Sequence, residues 1–152
     1  MDWSAELSGV LSHRIAELHE LASVTERFLR AFDVPEHTIF QINLAVEELV
    51  SNTINHGSRD GEQSAIRVAL SMSDGEIVVR IEDEAPPFDP FARAPVDTAA
   101  AIEARPIGGL GIHLVKEMID RVEYRRVDGR NHVTLRQPFA PAREGAVKQD
   151  AE

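Results

Sequence analysis

Residues Asn43 to Gly57 read NLAVEELVSNTINHG. Within this stretch and back toward Glu36, apolar side chains recur at spacings of three and four: Ile39, Ile42, Val46, Leu49 and Val50, with Thr53 in the same stripe. That period is helical and lays one buried face along an element from about Glu36 to His56. The other face carries Glu48, Asn52, Asn55 and His56. Glu48 and Asn52 are one turn apart and project side by side. A carboxylate beside a carboxamide is an oxygen-donor pair, suited to holding a hydrated Mg²⁺ and to accepting a proton. Read alone, the same residues make an ordinary solvated helix face. Gly57 is placed to cap the helix, and Ser58 to Gln63 is a polar turn.

Working outward, Asp33-Val34-Pro35 separates this helix from an earlier one. Leu11, Ile15, Leu18, Ala22, Phe28, Leu29 and Phe32 mark one face of a helix over about Ser12 to Phe32. Proline disfavours helix at the residue before it and suits the first turn of the next. Trp3 to Val10 reads as a short first strand. Downstream, Ala65 to Ser71 alternates, with Ile66, Val68 and Leu70 on one side, and Glu76 to Glu82 does the same with Ile77, Val79 and Ile81. Ser73-Asp74-Gly75 between them is a hairpin signal. Leu110 to Ile119 has helical spacing, Val122 to Val127 and His132 to Gln137 are strands, and Asp128-Gly129 turns between them. These elements predict an α+β fold, a two-layer sandwich with a mixed, mostly antiparallel sheet and helices on one face. Residues 1–139 form a single domain in this reading, and 140–152 a charged, Ala/Pro-containing disordered tail.

Composition narrows the function. Sixteen Lys plus Arg stand against 26 Asp plus Glu, so the chain repels a phosphate backbone and nucleic-acid binding is not expected. The chain has no cysteine, which excludes disulfides, thiol catalysis and thiolate zinc sites. Its six histidines are scattered, with no HExxH pair. No apolar run approaches the roughly 20 residues of a membrane span, and no secretory signal opens the chain. A cytoplasmic protein that does not engage membranes is the expectation.

Two further segments can carry chemistry. EDEAPPFDP begins at Glu82, where a strand ends. Asp83 there is an acceptor when ionised, and an adenine 6-amino group is a suitable donor; taken alone, it is a turn-initiating Asp before Pro-Pro. Ile107-Gly108-Gly109-Leu110-Gly111 opens the third helix. Glycines at a helix start permit close approach, and the exposed N–H groups with the helix dipole favour a phosphate; alone, this is equally a flexible hinge. No Walker motif is present. Asp83 to Gly111 as a whole is a long connection of the sort that is usually functional, and Asp89 to Ile107 reads as a lid.

Together the three segments resemble the ATPase fold shared by gyrase, the ninety-kilodalton heat-shock chaperone, bacterial histidine kinases and the MutL repair protein. Glu48 to Asn52 followed by His56-Gly57 resembles its N-box, Asp83 its adenine-binding aspartate, and Gly108-Gly109-Leu110-Gly111 its second glycine box. AVEELVSNTINHG, DEAPPFDP and GGLGIHLVKEMID, followed by Tyr124 and Gly129-Arg130-Asn131, resemble the small stand-alone branch of anti-sigma-factor serine kinases, over about Leu7 to Phe139. The resemblance implies ATP and Mg²⁺ as cofactors, Glu48 as general base, and Asn52 as the Mg²⁺ ligand. It implies Asp83 as the adenine acceptor, Gly108, Gly109 and Gly111 as the phosphate loop, Arg105 as a charge partner, and Thr134 behind the adenine. Ala85 stands where the superfamily has glycine in Asp-x-Gly and adds a methyl near the base. Serine/threonine phosphorylation of a STAS-type anti-sigma-factor antagonist, binding of that antagonist or a sigma factor, and homodimerisation are the implied activities. A silent nucleotide-binding switch module and a simple ATPase are the alternatives.

Overall fold

A computed structural model describes residues 5–12, 14–56, 65–92 and 109–141. Its elements, in order, are β1 (Ala5–Leu11), α1 (Ile15–Ala31), α2 (Glu36–His56), β2 (Ile66–Ser73), β3 (Glu76–Asp83), α3 (Gly109–Met118), β4 (Arg121–Val127) and β5 (Arg130–Pro138). Gly57 and the polar turn after it, most of the 89–107 segment, Arg105, Gly108 and the tail from residue 142 lie outside the described residues.

The α1–α2 junction shows how the sequence sets the helix layer. Asp33 takes a left-handed backbone, φ 56°, a conformation aspartate tolerates better than most residues. The Asp33 amide then donates to Arg30 O and the Val34 amide to Leu29 O, which closes α1 by the paired bonds of a Schellman turn. Val34 is buried beneath that turn. Pro35 accepts from the amides of Thr38 and Ile39, so it precedes α2 without removing any helical bond. Across the junction, Arg30 is bonded to Glu36 at 2.6 and 2.9 Å.

Both hairpins turn in two residues. Asp74 and Gly75 have φ of 47° and 75°, and Asp128 and Gly129 have 50° and 76°. Positive φ at both central positions is the type I′ geometry, whose twist suits tight hairpins. The strand order is β1-β2-β3-β5-β4, and every pairing is antiparallel. The α+β sandwich expected from the sequence is present, and its sheet, expected to be mostly antiparallel, is antiparallel throughout the described strands. The physical reason is the crossover: the chain passes from β3 through α3 to β4 on the far edge, and β5 then returns between them. β3 and β4 run the same way but never touch.

The period of two decides which side of each strand is covered. Ile66, Val68, Leu70, Ile77, Val79, Ile81 and Leu135 are buried on one face, where Ile39, Ile42, Val46, Leu49 and Val50 of α2 and Ile112 and Val115 of α3 meet them in one core. The stripe read from the sequence is the buried face of α2. Among the described residues no helix is long and apolar enough to cross a membrane.

Ile42 is fully buried at the centre of α2. Ile42→Ala is expected to cost about 2–5 kcal/mol, read as a lower urea midpoint at an unchanged denaturant slope.

Candidate functional site

The site begins with the polar edge of α2. Glu48 and Asn52 are both half-buried, and Glu48 lies against α3. The Glu48 carboxylate packs directly on Gly111: a Cβ added there would overlap its Oε2 and Cδ. One turn further along, Asn52 lines a pocket with Leu49, Thr53, Ile81, Asp83, Ala85, Pro86, Phe88, Pro90, Asn131 and Val133. The lining is the usual mixture of apolar walls and a few polar groups.

Asp83 is the last residue of β3 and is 6% exposed. Its Oδ1 accepts from the Ala85 amide at 2.9 Å and from the Asn131 Nδ2 at 2.9 Å. Those two bonds fix the carboxylate plane and leave Oδ2 as the acceptor for a donor in the cavity. Asn131 is the organising residue. Its Nδ2 also donates to Ala85 O and Pro86 O, at 3.2 and 3.1 Å. Its Oδ1 accepts from the Tyr124 hydroxyl at 2.6 Å, Arg126 Nη1 at 3.1 Å and the Phe88 amide at 3.4 Å. Arg126 Nη1 also donates to Ala85 O at 2.6 Å. Asn131 is 4% exposed, so a single buried carboxamide shapes the turn after β3.

Ala85 fits this turn without strain. The described non-glycine residues at positive φ are Asp33, Asp74 and Asp128; Ala85 is not among them. The glycine expected at this place is thus not needed for the backbone, and the amide that holds Asp83 is retained. Ala85 is buried and lines the cavity.

Of the residues expected at a site, the structure brings Asn52, Asp83 and Ala85 to one cavity, with Glu48 one turn from Asn52 and against Gly111. Gly109 is the first residue of α3. Thr134 is not brought there. It alternates with the buried Val133 and Leu135 and faces the other side of the sheet, in a cleft with Asp120, Arg121, Glu123 and Arg136. The expectation for Thr134 is corrected by strand parity, and Val133 takes the place beside the cavity. Asn131 was not expected as a site residue. Its signal was present: in Asn131, Val133, Leu135 it occupies the core parity of β5, where a polar side chain requires partners.

Chemically, the apolar walls and the Asp83 carboxylate suit an apolar group that carries a hydrogen-bond donor. Purines with an exocyclic amine have that character. Asn52 offers one oxygen to a metal, and no group of three acidic or histidine ligands exists among the described residues. That donor set fits a Mg²⁺ held mainly by phosphate and water.

Asn131→Ala is expected to lower stability by about 3 kcal/mol, because it strands several buried partners. Thr134→Ala, on the solvent side, should change it by less than about 0.5 kcal/mol. Paired urea titrations check both.

The sequence matches the family described as Histidine kinase-like ATPase domain over residues 11–137. It is 28% identical over 102 residues to the serine/threonine-protein kinase BtrW of Bordetella bronchiseptica, covering 67% of this chain and 72% of that one. It is 29% identical over 89 residues to the serine-protein kinase RsbW of Listeria monocytogenes, covering 56% of this chain and 57% of that one. The chain thus spans little more than half the length of the Listeria kinase. Among solved structures, the RsbU and RsbW domains of Rv1364c from Mycobacterium tuberculosis superpose with a TM-score of 0.66 at 18% identity, over 91% of this chain and 34% of that one. That likeness speaks for the fold. With the family match extending over most of its length, the chain belongs to the histidine kinase-like ATPase domain family.

Proposed function

We propose that this protein binds Mg-ATP and transfers the γ-phosphoryl group to a serine or threonine of an anti-sigma-factor antagonist in a partner-switching circuit. The observation that carries the reading is the shared edge of α2. Asn52 lines the same cavity as the buried Asp83, and Glu48 stands one turn away on the same helix. Adenine held at Asp83 would direct its phosphates along this edge toward Asn52 and the start of α3. The names of the BtrW and RsbW relatives support a serine kinase, and their kinship supports an antagonist or sigma factor as partner.

In this reading Asn52 supplies one ligand to Mg²⁺, which neutralises phosphate charge when bound. Glu48 accepts the proton of the attacking hydroxyl as its oxygen bonds to the γ-phosphorus and the bond to the ADP oxygen breaks. Little else is required of the protein, since phosphoryl transfer is accelerated mainly by positioning and charge neutralisation. Apart from its acceptor, a hydrolytic ATPase would use the same groups.

Mg-ATP at about a hundred times its dissociation constant should stabilise the fold by roughly 2.7 kcal/mol. For a chain of this length that is a midpoint rise of about 5–10 °C. Asp83→Asn should abolish the rise, because an amide no longer offers the paired acceptor; a full rise in that variant would sink the assignment of Asp83. Separately, Glu48→Ala should keep the Mg-ATP rise and lose about 10²–10⁴-fold in transfer of labelled phosphate to a serine-bearing antagonist. Steady phosphate release with no transfer to any antagonist would instead identify an ATPase.

A further inference from the structure

We propose that Gly111 is the positioning residue for Glu48: a hydrogen in place of a side chain at residue 111 is what allows the Glu48 carboxylate to lie across the first turn of α3. A Cβ built on Gly111 overlaps Oε2 and Cδ of Glu48 and stands 3.1 Å from Cγ. Such close distances are not tolerated between real atoms, so one group must move. The overlapped atoms are the far end of a flexible side chain, and the one that moves is the glutamate, not the backbone.

Gly9, Gly75 and Gly129 are glycines for other reasons. Gly75 and Gly129 sit at positive φ in hairpin turns, and Gly9 has open space around it. Gly111 lies inside α3 without positive φ, so its backbone would accept alanine, which is a better helix former. What residue 111 supplies is therefore room, and the room is filled by one particular carboxylate. The third helix thereby sets where Glu48 sits relative to its own N-terminal turn, the place at which phosphate is expected. The catalytic meaning of this rests on the reading of Glu48 as proton acceptor given above; the packing does not.

The test is a double-mutant cycle with Gly111→Ala and Glu48→Ala, read first by thermal unfolding. With Glu48 truncated, Gly111→Ala should raise the midpoint by about 2–4 °C, the gain from helix propensity. With Glu48 intact, the rise should be smaller or become a fall. Equal rises in the two backgrounds would overturn the proposal. The second reading is phosphate transfer at saturating Mg-ATP. Gly111→Ala should slow it about a hundredfold. In a Glu48→Asp background, where the carboxylate is one methylene shorter, the same change should cost little. Equal losses in both backgrounds would also overturn it, since the effect would not pass through residue 48. A wild-type chain that transfers no phosphate defeats the kinase reading alone; the unfolding cycle then still decides whether residue 111 places residue 48.

Discussion

The pairing of β3 with β5 sets Asp83 opposite Asn131, and the hydrogen bond between these two buried residues is the constraint on which the site rests. An ionised carboxylate in an apolar slot is costly unless its lone pairs are engaged. Here a carboxamide and a backbone amide do so, and the same carboxamide ties down the turn that follows. Remove the register and Asp83 becomes a charge at a strand end with no defined direction. The core beneath, where α2 and α3 cover Ile81, Val133 and Leu135, keeps that register from slipping, because a shift of one residue would turn the buried set outward.

Much of this architecture was legible before any coordinates. The stripe Ile39, Ile42, Val46, Leu49, Val50 declares both the helix and its buried side, since only a 3.6-residue period aligns those positions. The hairpins were equally plain, because Asp-Gly between alternating runs accepts the two positive φ angles that a two-residue turn demands. Sheet order was not legible. Local pattern says which residues alternate but not which edge a strand joins, and the insertion of β5 between β3 and β4 is decided by packing over long sequence separation. The pattern therefore left the sheet antiparallel or mixed, and the described strands pair antiparallel throughout.

The site was legible to a different degree. Asn52, Asp83 and Ala85 share a cavity because one lies on the polar edge of a helix whose phase is set by its apolar stripe, and the others follow a strand whose end is fixed by its alternation. Thr134 failed on parity. Counting from Val133 or Leu135 shows that it must face away, and the same count exposes Asn131 as a polar residue in a core position. The reason for alanine at 85 could not be read from sequence, since it depends on a backbone angle. The relation between Gly111 and Glu48 was equally hidden, since it depends on how two helices far apart in the chain approach each other.

The late return of β5 has a consequence for the order in which the molecule becomes functional. Asp83 is made early in the chain, but Asn131, Tyr124 and Arg126 come about forty residues or more after it. Until β5 enters between β3 and β4, the carboxylate has only the Ala85 amide to orient it, and the cavity lacks its Val133 wall. Loops of that length close slowly compared with local helices and hairpins. The orientation of Asp83 is therefore not a property that accumulates as the elements form. The full set of hydrogen bonds on Asp83 needs the pairing of β5 with β3 and not merely the presence of secondary structure.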